Sequence, residues 1–345
     1  VSDSCWQPWL FRSRLGPYLE MAALHLYEDA LFGEKAGSLS TLRRLVLKTP
    51  LPLESEAEQD ARVEEGGCST RGFLWKVLLG VSKVDADMYI NLVKKGPSSQ
   101  HDKIINDTCR TLRGNKRFEK NVTEDSLIRV LNAFVHFVGD KSDCTYVQGL
   151  NVVAAPFLYT MPEVDAFFAF TKLVLHHIPL YTEKRIIGAY RGCDLFDDVL
   201  KAVDSQLASH LQQRSHQGRI FALKPILSLG AGIPPLDQLL RIWDFLFAFG
   251  PHLIVLCTVA HVRKLRDDLL KTDKPNEHTR TLPDWDAEYV INEAHRIAKL
   301  VPPSLYEKIV RHTFEEASSV DDSQVGVSRL SLKGSVKNKT WAGGK

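Results

Sequence analysis

Apolar residues recur at spacings of three and four along most of this chain, and a repeat of that kind restricts it to packed helices. Leu24, Leu26, Tyr27 and Leu31 show it first, followed by Leu42, Leu45 and Val46. Ser69 or Thr70 can cap a helix carrying Phe73, Leu74, Val77 and Leu78 that stops near Gly80, and a short helix follows around Met88 to Leu92. Thr123 stands ahead of Glu124 and Asp125, two acids that suit the positive end of a helix dipole. Leu127, Val130, Leu131, Phe134 and Val138 then draw one face that ends at Gly139. A polar loop from Asp140 to Thr145 leads into an apolar helix reaching about Leu158. Leu195, Val199, Val203, Leu207 and Leu211 repeat every four residues. Pro234 and Pro235 suit a first helical turn before Leu236, Leu239, Leu240, Trp243, Leu246 and Phe247, and Gly250 with Pro251 stops that helix. Ile254 to Leu270 and Ala287 to Leu300 predict two more. No stretch alternates as a half-buried strand would, so the expected fold class is all-α.

Residues 1 to 20, with Trp6, Trp9 and Phe11, have no clear period and are expected to be an extension ahead of Met21 or an aromatic peptide docked on the domain. Residues 21 to 50 hold the N-terminal helices. From 51 to 68 the acids Glu54, Glu56, Glu58, Asp60, Glu64 and Glu65 face only Arg62, which predicts a solvated acidic linker. The main helical domain is expected over 69 to 313. Beyond it, residues 314 to 345 turn to Ser, Gly, Lys and Val without a helical face, the composition of a mobile tail open to phosphorylation.

Charge and motif content exclude several functions. Forty-four basic against forty-two acidic side chains leave none of the excess that phosphate-backbone binding requires, so nucleic acid is not the expected partner. No run reaches the roughly 18 to 20 apolar residues of a membrane span, and the N-terminus lacks a signal-peptide pattern, so an intracellular, cytoplasmic protein is expected. The six cysteines, Cys5, Cys68, Cys109, Cys144, Cys193 and Cys257, form no CxxC pair and read as reduced core or loop residues. Asn121-Val122-Thr123 matches a glycosylation triplet that matters only in secreted chains. Gly139-Asp140-Lys141-Ser142 lacks the Gly-Lys junction of a phosphate loop, and His176-His177 point about 100° apart on a helix, which rules out one-sided metal ligation. GxSxG and HExxH patterns are absent. Neither a cofactor nor a metal of its own is expected.

Three phrases remain: Arg71-Gly72-Phe73-Leu74-Trp75, Ile104-Ile105-Asn106-Asp107-Thr108-Cys109-Arg110, and Tyr146-Val147-Gln148. In that order they resemble the RxxxW, IxxDxxR and YxQ motifs of the TBC-domain Rab GTPase-activating proteins. Gln148-Gly149-Leu150-Asn151 and Leu240-Arg241-Ile242-Trp243-Asp244, close to the family's LRIWD phrase, extend the resemblance over roughly Arg71 to Thr313. The phrase from Ile226-Leu227-Ser228-Leu229 to Pro234-Pro235-Leu236-Asp237-Gln238 looks most like the fungal branch that restrains mitotic exit and septation, the budding-uninhibited-by-benzimidazole type.

The resemblance implies a TBC-type fold of two helical subdomains with flexible termini. It implies a Rab-like or mitotic-exit-type small GTPase as partner, which holds the GTP and Mg, a companion subunit, and location at the spindle pole body. It also implies that Arg110 is an inserted arginine finger and Gln148 a glutamine finger. The residue types suit such work: a planar, permanently charged guanidinium can bridge phosphate oxygens, and an amide can donate to the γ-phosphate while accepting from the attacking water. Asp107, three residues before Arg110, would hold the guanidinium stem if the segment is helical, or else form an ordinary surface ion pair. Tyr146 either packs beneath Gln148 or is a core tyrosine. Arg71, Trp75, Arg241, Trp243 and Asp244 read as structural, with Asp237 and Arg241 as an i,i+4 pair and Trp243 on the apolar face. Leu112-Arg113 and Cys144-Thr145 depart from the family's usual residues, which bears on the choice of GTPase. The competing expectation is a non-catalytic GTPase-binding scaffold or adaptor.

Overall fold

The structure, a computed structural model, describes residues 8 to 33, 38 to 139 and 144 to 315, with side chains from Glu20 onward. All but the first two residues of the expected tail, and most of the Asp140 to Thr145 loop, lie outside the described residues. All regular structure in the described residues is helical, with one isolated β-bridge between Cys144 and Glu183.

The first helices are α1 (Pro8–Phe32), α2 (Leu39–Lys48) and α3 (Glu56–Glu64). Of the stretch expected to be an extension or a docked aromatic peptide, residues 8 to 20 continue into the helical period that begins at Met21, residues 1 to 7 lie outside the described residues, and the buried face of α1 is Ala23, Tyr27 and Ala30. The acidic stretch is corrected too. Ser55 and Glu58 form a reciprocal capping box at the start of α3, which satisfies two N-terminal amides. Its acids face water while Gln59 is fully buried, accepting from Arg117 Nε at 2.6 Å and from the Tyr159 hydroxyl at 3.1 Å. The excess of Glu concealed one inward-pointing polar residue.

Next come α4 (Thr70–Leu79), α5 (Ala86–Val93), α6 (His101–Thr108), α7 (Lys116–Asn121), α8 (Glu124–Val138), α9 (Leu150–Thr160) and α10 (Glu163–Lys172). Helix α8 lies against α5, α6, α9 and α10, forming one helical group. A second group is built around α11 (Ile187–Val203), with α12 (Ser205–Gln213), α13 (Gly218–Phe221), α14 (Leu223–Leu227), α15 (Leu236–Phe249), α16 (Ile254–Arg263), α17 (Arg266–Lys271), α18 (Asn276–Thr279), α19 (Ala287–Leu300) and α20 (Pro303–Arg311). The four-residue repeat from Leu195 to Leu211 is broken at Asp204, whose carboxylate caps α12 by accepting from Leu207 N at 3.1 Å. The span from Ile254 to Leu270 likewise divides into α16 and α17.

Helix α15 joins the two groups, packing on α2 and α4 and also on α19. Trp75, Phe157, Trp243 and Phe247 meet there with ring centroids 5.2 to 5.9 Å apart, and Trp75 and Trp243 are completely buried. Rings of this size bury about 150 to 250 Å² each, so the cluster is a substantial apolar contact between α4, α9 and α15. The free cysteines among the described residues are core or loop residues, and burial pushes the Cys68, Cys193 and Cys257 thiols up to about 12.

Candidate functional site

Helix α6 buries Ile104, Asp107 and Thr108, so its last turn points a carboxylate inward. Regular helix ends at Thr108 and the chain folds into consecutive tight turns, with Thr111 N donating to Thr108 O at 2.9 Å and Asn115 N to Leu112 O at 3.2 Å. Leu112 takes a left-handed φ of 49° and Gly114 one of 89°, an unusual strain for leucine. These turns leave Arg110 at the surface with its side chain 62% exposed.

Each oxygen of Asp107 has one partner. Arg110 Nη2 donates to Oδ1 at 2.6 Å, and the Tyr146 hydroxyl donates to Oδ2 at 2.8 Å. Burial and the carboxylate it faces push the Tyr146 hydroxyl well above its ordinary pKa, so it stays a donor. Tyr146 is therefore a buried tyrosine whose hydroxyl is committed to the carboxylate that anchors Arg110. Asn151, buried in the first turn of α9, donates to Asp107 O at 3.2 Å and to Thr111 Oγ1 at 2.9 Å. That amide ties the start of α9 to the end of α6.

Gln148 lies in the turn just before α9 and is exposed. Gly149 supplies the φ of +106° that the turn into α9 needs, which any side chain would resist. On the upstream side, Thr145 N donates to Thr182 O at 3.0 Å, and Cys144 Sγ lies 3.0 Å from Thr182 Oγ1. Arg110 and Gln148, 38 positions apart in sequence, thus line the same open groove of about 1140 Å³.

The far wall of the groove is made by α14, the loop after it and the start of α15, including Lys224, Leu227, Ile233 and Pro234. Two indoles hold this wall from behind: Trp243 Nε1 donates to Leu229 O at 2.9 Å, and Trp285 Nε1 to Gly230 O at 3.1 Å. Trp285 N also donates to Pro234 O at 2.6 Å. A Cβ at Gly230 would come 2.6 Å from the Trp285 ring, so only glycine fits. Sequence reasoning reads 226 to 238 only as a branch signature. Its Gly, Ser and double-proline content is the available signal for a shaped loop.

The other motif residues lie away from the groove. Arg71 Nε donates to Asp244 at 3.1 Å, Trp75 Nε1 donates to the same carboxylate at 2.7 Å, and all three residues are buried. Arg71 Nη2 also reaches Leu51 O at 2.8 Å. Trp243 is fully buried. The expected Asp237 to Arg241 pair is not formed among the described residues: Asp237 accepts from Gln238 Nε2 at 3.2 Å, and Arg241 lies half-buried on α15. The described residues bring no three His, Cys, Asp or Glu side chains together as a metal site, and among them no helix is long and apolar enough to cross a membrane.

A sequence model of the Rab-GTPase-TBC domain matches residues 68–270. A Dictyostelium discoideum protein provisionally named mitotic check point protein BUB2 is 41% identical over 277 residues, which cover 80% of this chain and 75% of that one. The Saccharomyces cerevisiae mitotic check point protein BUB2 is 35% identical over 288 residues, covering 80% of this chain and 92% of its own. The crystal structure of the Ypt/Rab-GAP domain of Gyp1p has the same fold, with a TM-score of 0.63 at 17% identity, covering 81% of this chain and 98% of that one.

Proposed function

This chain belongs to the Rab-GTPase-TBC domain family, and from that premise we propose that it accelerates GTP hydrolysis by a small GTPase, to which it lends Arg110 and Gln148. The observation that carries the reading is their placement: both are exposed on one groove, and Asp107, Tyr146 and Asn151 fix the backbone and the guanidinium from behind. An exposed arginine held by a buried carboxylate has a direction before it meets its target, so less ordering remains at the moment of reaction. The guanidinium neutralises charge developing on the phosphate oxygens, while the Gln148 amide holds the attacking water in line. GTP and Mg belong to the partner. Arginine fingers raise rates by about 10³ to 10⁵, equivalent to roughly 4 to 7 kcal/mol of barrier.

The biological setting we propose is a mitotic checkpoint, on the strength of relatives whose names carry that role. Single-turnover hydrolysis by a panel of GTP-loaded small GTPases from the source cells tests the chemistry, with and without a companion subunit from the same cells. Arg110→Ala should lower stimulation by about 10³-fold or more and Gln148→Ala by about 10²-fold, with binding retained. Unchanged stimulation in both variants would refute the two-finger mechanism. Binding without stimulation by the intact protein would assign it as a platform.

A further inference from the structure

We infer that the groove docks an acidic face of the partner GTPase, through Arg113, Lys116 and Lys224, before Arg110 and Gln148 act. This rests on the GTPase-activating reading and adds the chemistry of the partner's surface.

The chain as a whole is almost neutral, with 44 basic and 42 acidic side chains. Its groove is not: Arg110, Arg113, Lys116 and Lys224 line it, against Asp107 as the single carboxylate. Asp107 is already engaged by Arg110 and Tyr146. Glu119, on the neighbouring helix, accepts from Gly114 N at 2.9 Å. Arg113, Lys116 and Lys224 are exposed and form no ion pair among the described residues. Elsewhere on the surface, Arg129 is paired with Glu163, Arg219 with Asp194 and Arg296 with Glu293. Arg113, Lys116 and Lys224 thus share one groove whose single carboxylate is already taken up by Arg110 and Tyr146.

The arrangement is built on both walls. The left-handed turn at Leu112 separates Arg110 from Arg113 and Lys116 along one wall. On the other, Lys224 stands beside the loop after α14, its Cε at ordinary contact distance, 3.4 Å, from where a Cβ on Gly232 would lie. On the same wall as Lys224 lie the apolar side chains of Leu227, Ile233 and Leu236. Cations around an apolar strip match a protein face carrying acids beside apolar residues; a bare phosphate offers nothing to the strip, and a flat bilayer cannot enter a concave groove. Complementary charge of this kind raises association rates by about 10- to 10³-fold and fades as salt screens it.

The test follows stimulated hydrolysis by the same GTPase panel against ionic strength, comparing the intact protein, Arg110→Ala and the triple variant Arg113→Glu, Lys116→Glu, Lys224→Glu. All three positions of the triple variant are exposed, and circular dichroism checks its fold. At low salt the triple variant should lose about tenfold or more in kcat/KM, chiefly in KM, and the gap should narrow toward 0.5 M salt, where screening reaches a few ångströms. Arg110→Ala should instead lose kcat. Replacing acids beside the GTPase's nucleotide pocket with lysine should restore the triple variant. Where the intact protein binds a GTPase without stimulating it, weaker equilibrium binding by the triple variant supports docking by itself, so docking can stand while the catalytic reading falls. Unchanged kcat/KM and salt dependence, a defect confined to binding vesicles of phosphatidylserine, or a panel in which no GTPase binds would each overturn the inference.

Discussion

Asp107 acts as a hinge between two side chains, Arg110 and a Tyr146 that lies 39 residues away in the chain, and its value lies in having no oxygen to spare. If the Tyr146 hydroxyl is removed, Oδ2 is left in a buried site without a donor, and the carboxylate can rotate away from Arg110. A hydrogen bond to a charged group is worth about 1.5 to 3 kcal/mol. Tyr146→Phe should therefore lower stability by that order in urea unfolding. It should also reduce the stimulated kcat several-fold, while the concentration of GTPase giving half-maximal rate hardly moves. A shift in that concentration with kcat intact would show that Tyr146 supports docking instead. The Asp107 to Arg110 pair, which forms although Arg110 lies in the turn just past the end of α6, is legible in the sequence from its i,i+3 spacing. The Tyr146 contact is not, since no local spacing encodes where a buried hydroxyl finds its acceptor.

Among the elements, α4 and α15 are joined by a buried ion pair. Arg71 and Asp244 are 5% and 6% exposed at their side chains, so neither charge can turn to water if the other is removed. Burial pushes the Asp244 carboxyl upward, while Arg71 and the Trp75 indole pull it back toward the ionised form. Asp244→Ala should cost about 3 to 5 kcal/mol, because it strands a buried guanidinium. The double variant Arg71→Met with Asp244→Leu should cost less than the sum of its parts, and a urea double-mutant cycle measures the difference. Simple additivity would mean that the pair is not coupled. Sequence reasoning marks both residues as structural, yet the one ion pair it offers on α15 is Asp237 with Arg241, because only neighbours on one helix can be inferred from spacing. Element boundaries follow the same rule. Those set by caps are legible: Thr123 and Gly139 bound α8, and the span Ala287–Leu300 of α19 is evident as it stands. The break at Asp204 is not, because an unbroken apolar repeat continues across it and the carboxylate's tertiary partners, Arg266 at 2.7 Å and Arg263 at 3.6 Å, are remote in sequence.

For the whole molecule, the strongest expectation concerns acid. His261 and His312 are buried, and burial lowers both to about 4. His261 donates through Nε2 to Pro283 O at 2.9 Å, leaving Nδ1 buried without a partner, and His312 Nε2 lies 2.8 Å from the Tyr181 hydroxyl. In the unfolded chain a histidine takes up its proton near pH 6.5. Between that pH and about 4 the unfolded state binds more protons than the folded one, so stability present above pH 6.5 is lost as the pH falls, by at most roughly 3 kcal/mol per histidine. Asp197 works in the opposite sense, since burial raises its carboxyl to about 6: its contribution is present at low pH and is lost as the pH rises through about 6. Burial lowers His252 to about 4 as well, and three such histidines against the raised carboxyls of Asp197 and Asp244 give a net fall from pH 7 to 4.5, read as a lower urea midpoint, and a flat profile would contradict it. The loss should also reach the groove. Leu180 N donates to Thr313 O at 3.1 Å, and Thr182 O in turn holds Thr145 N in the segment leading to Gln148. The His312→Gln variant, which removes one titrating group at that junction, should flatten the acid limb of both the unfolding profile and the stimulated kcat, whereas His261→Gln should flatten only the first.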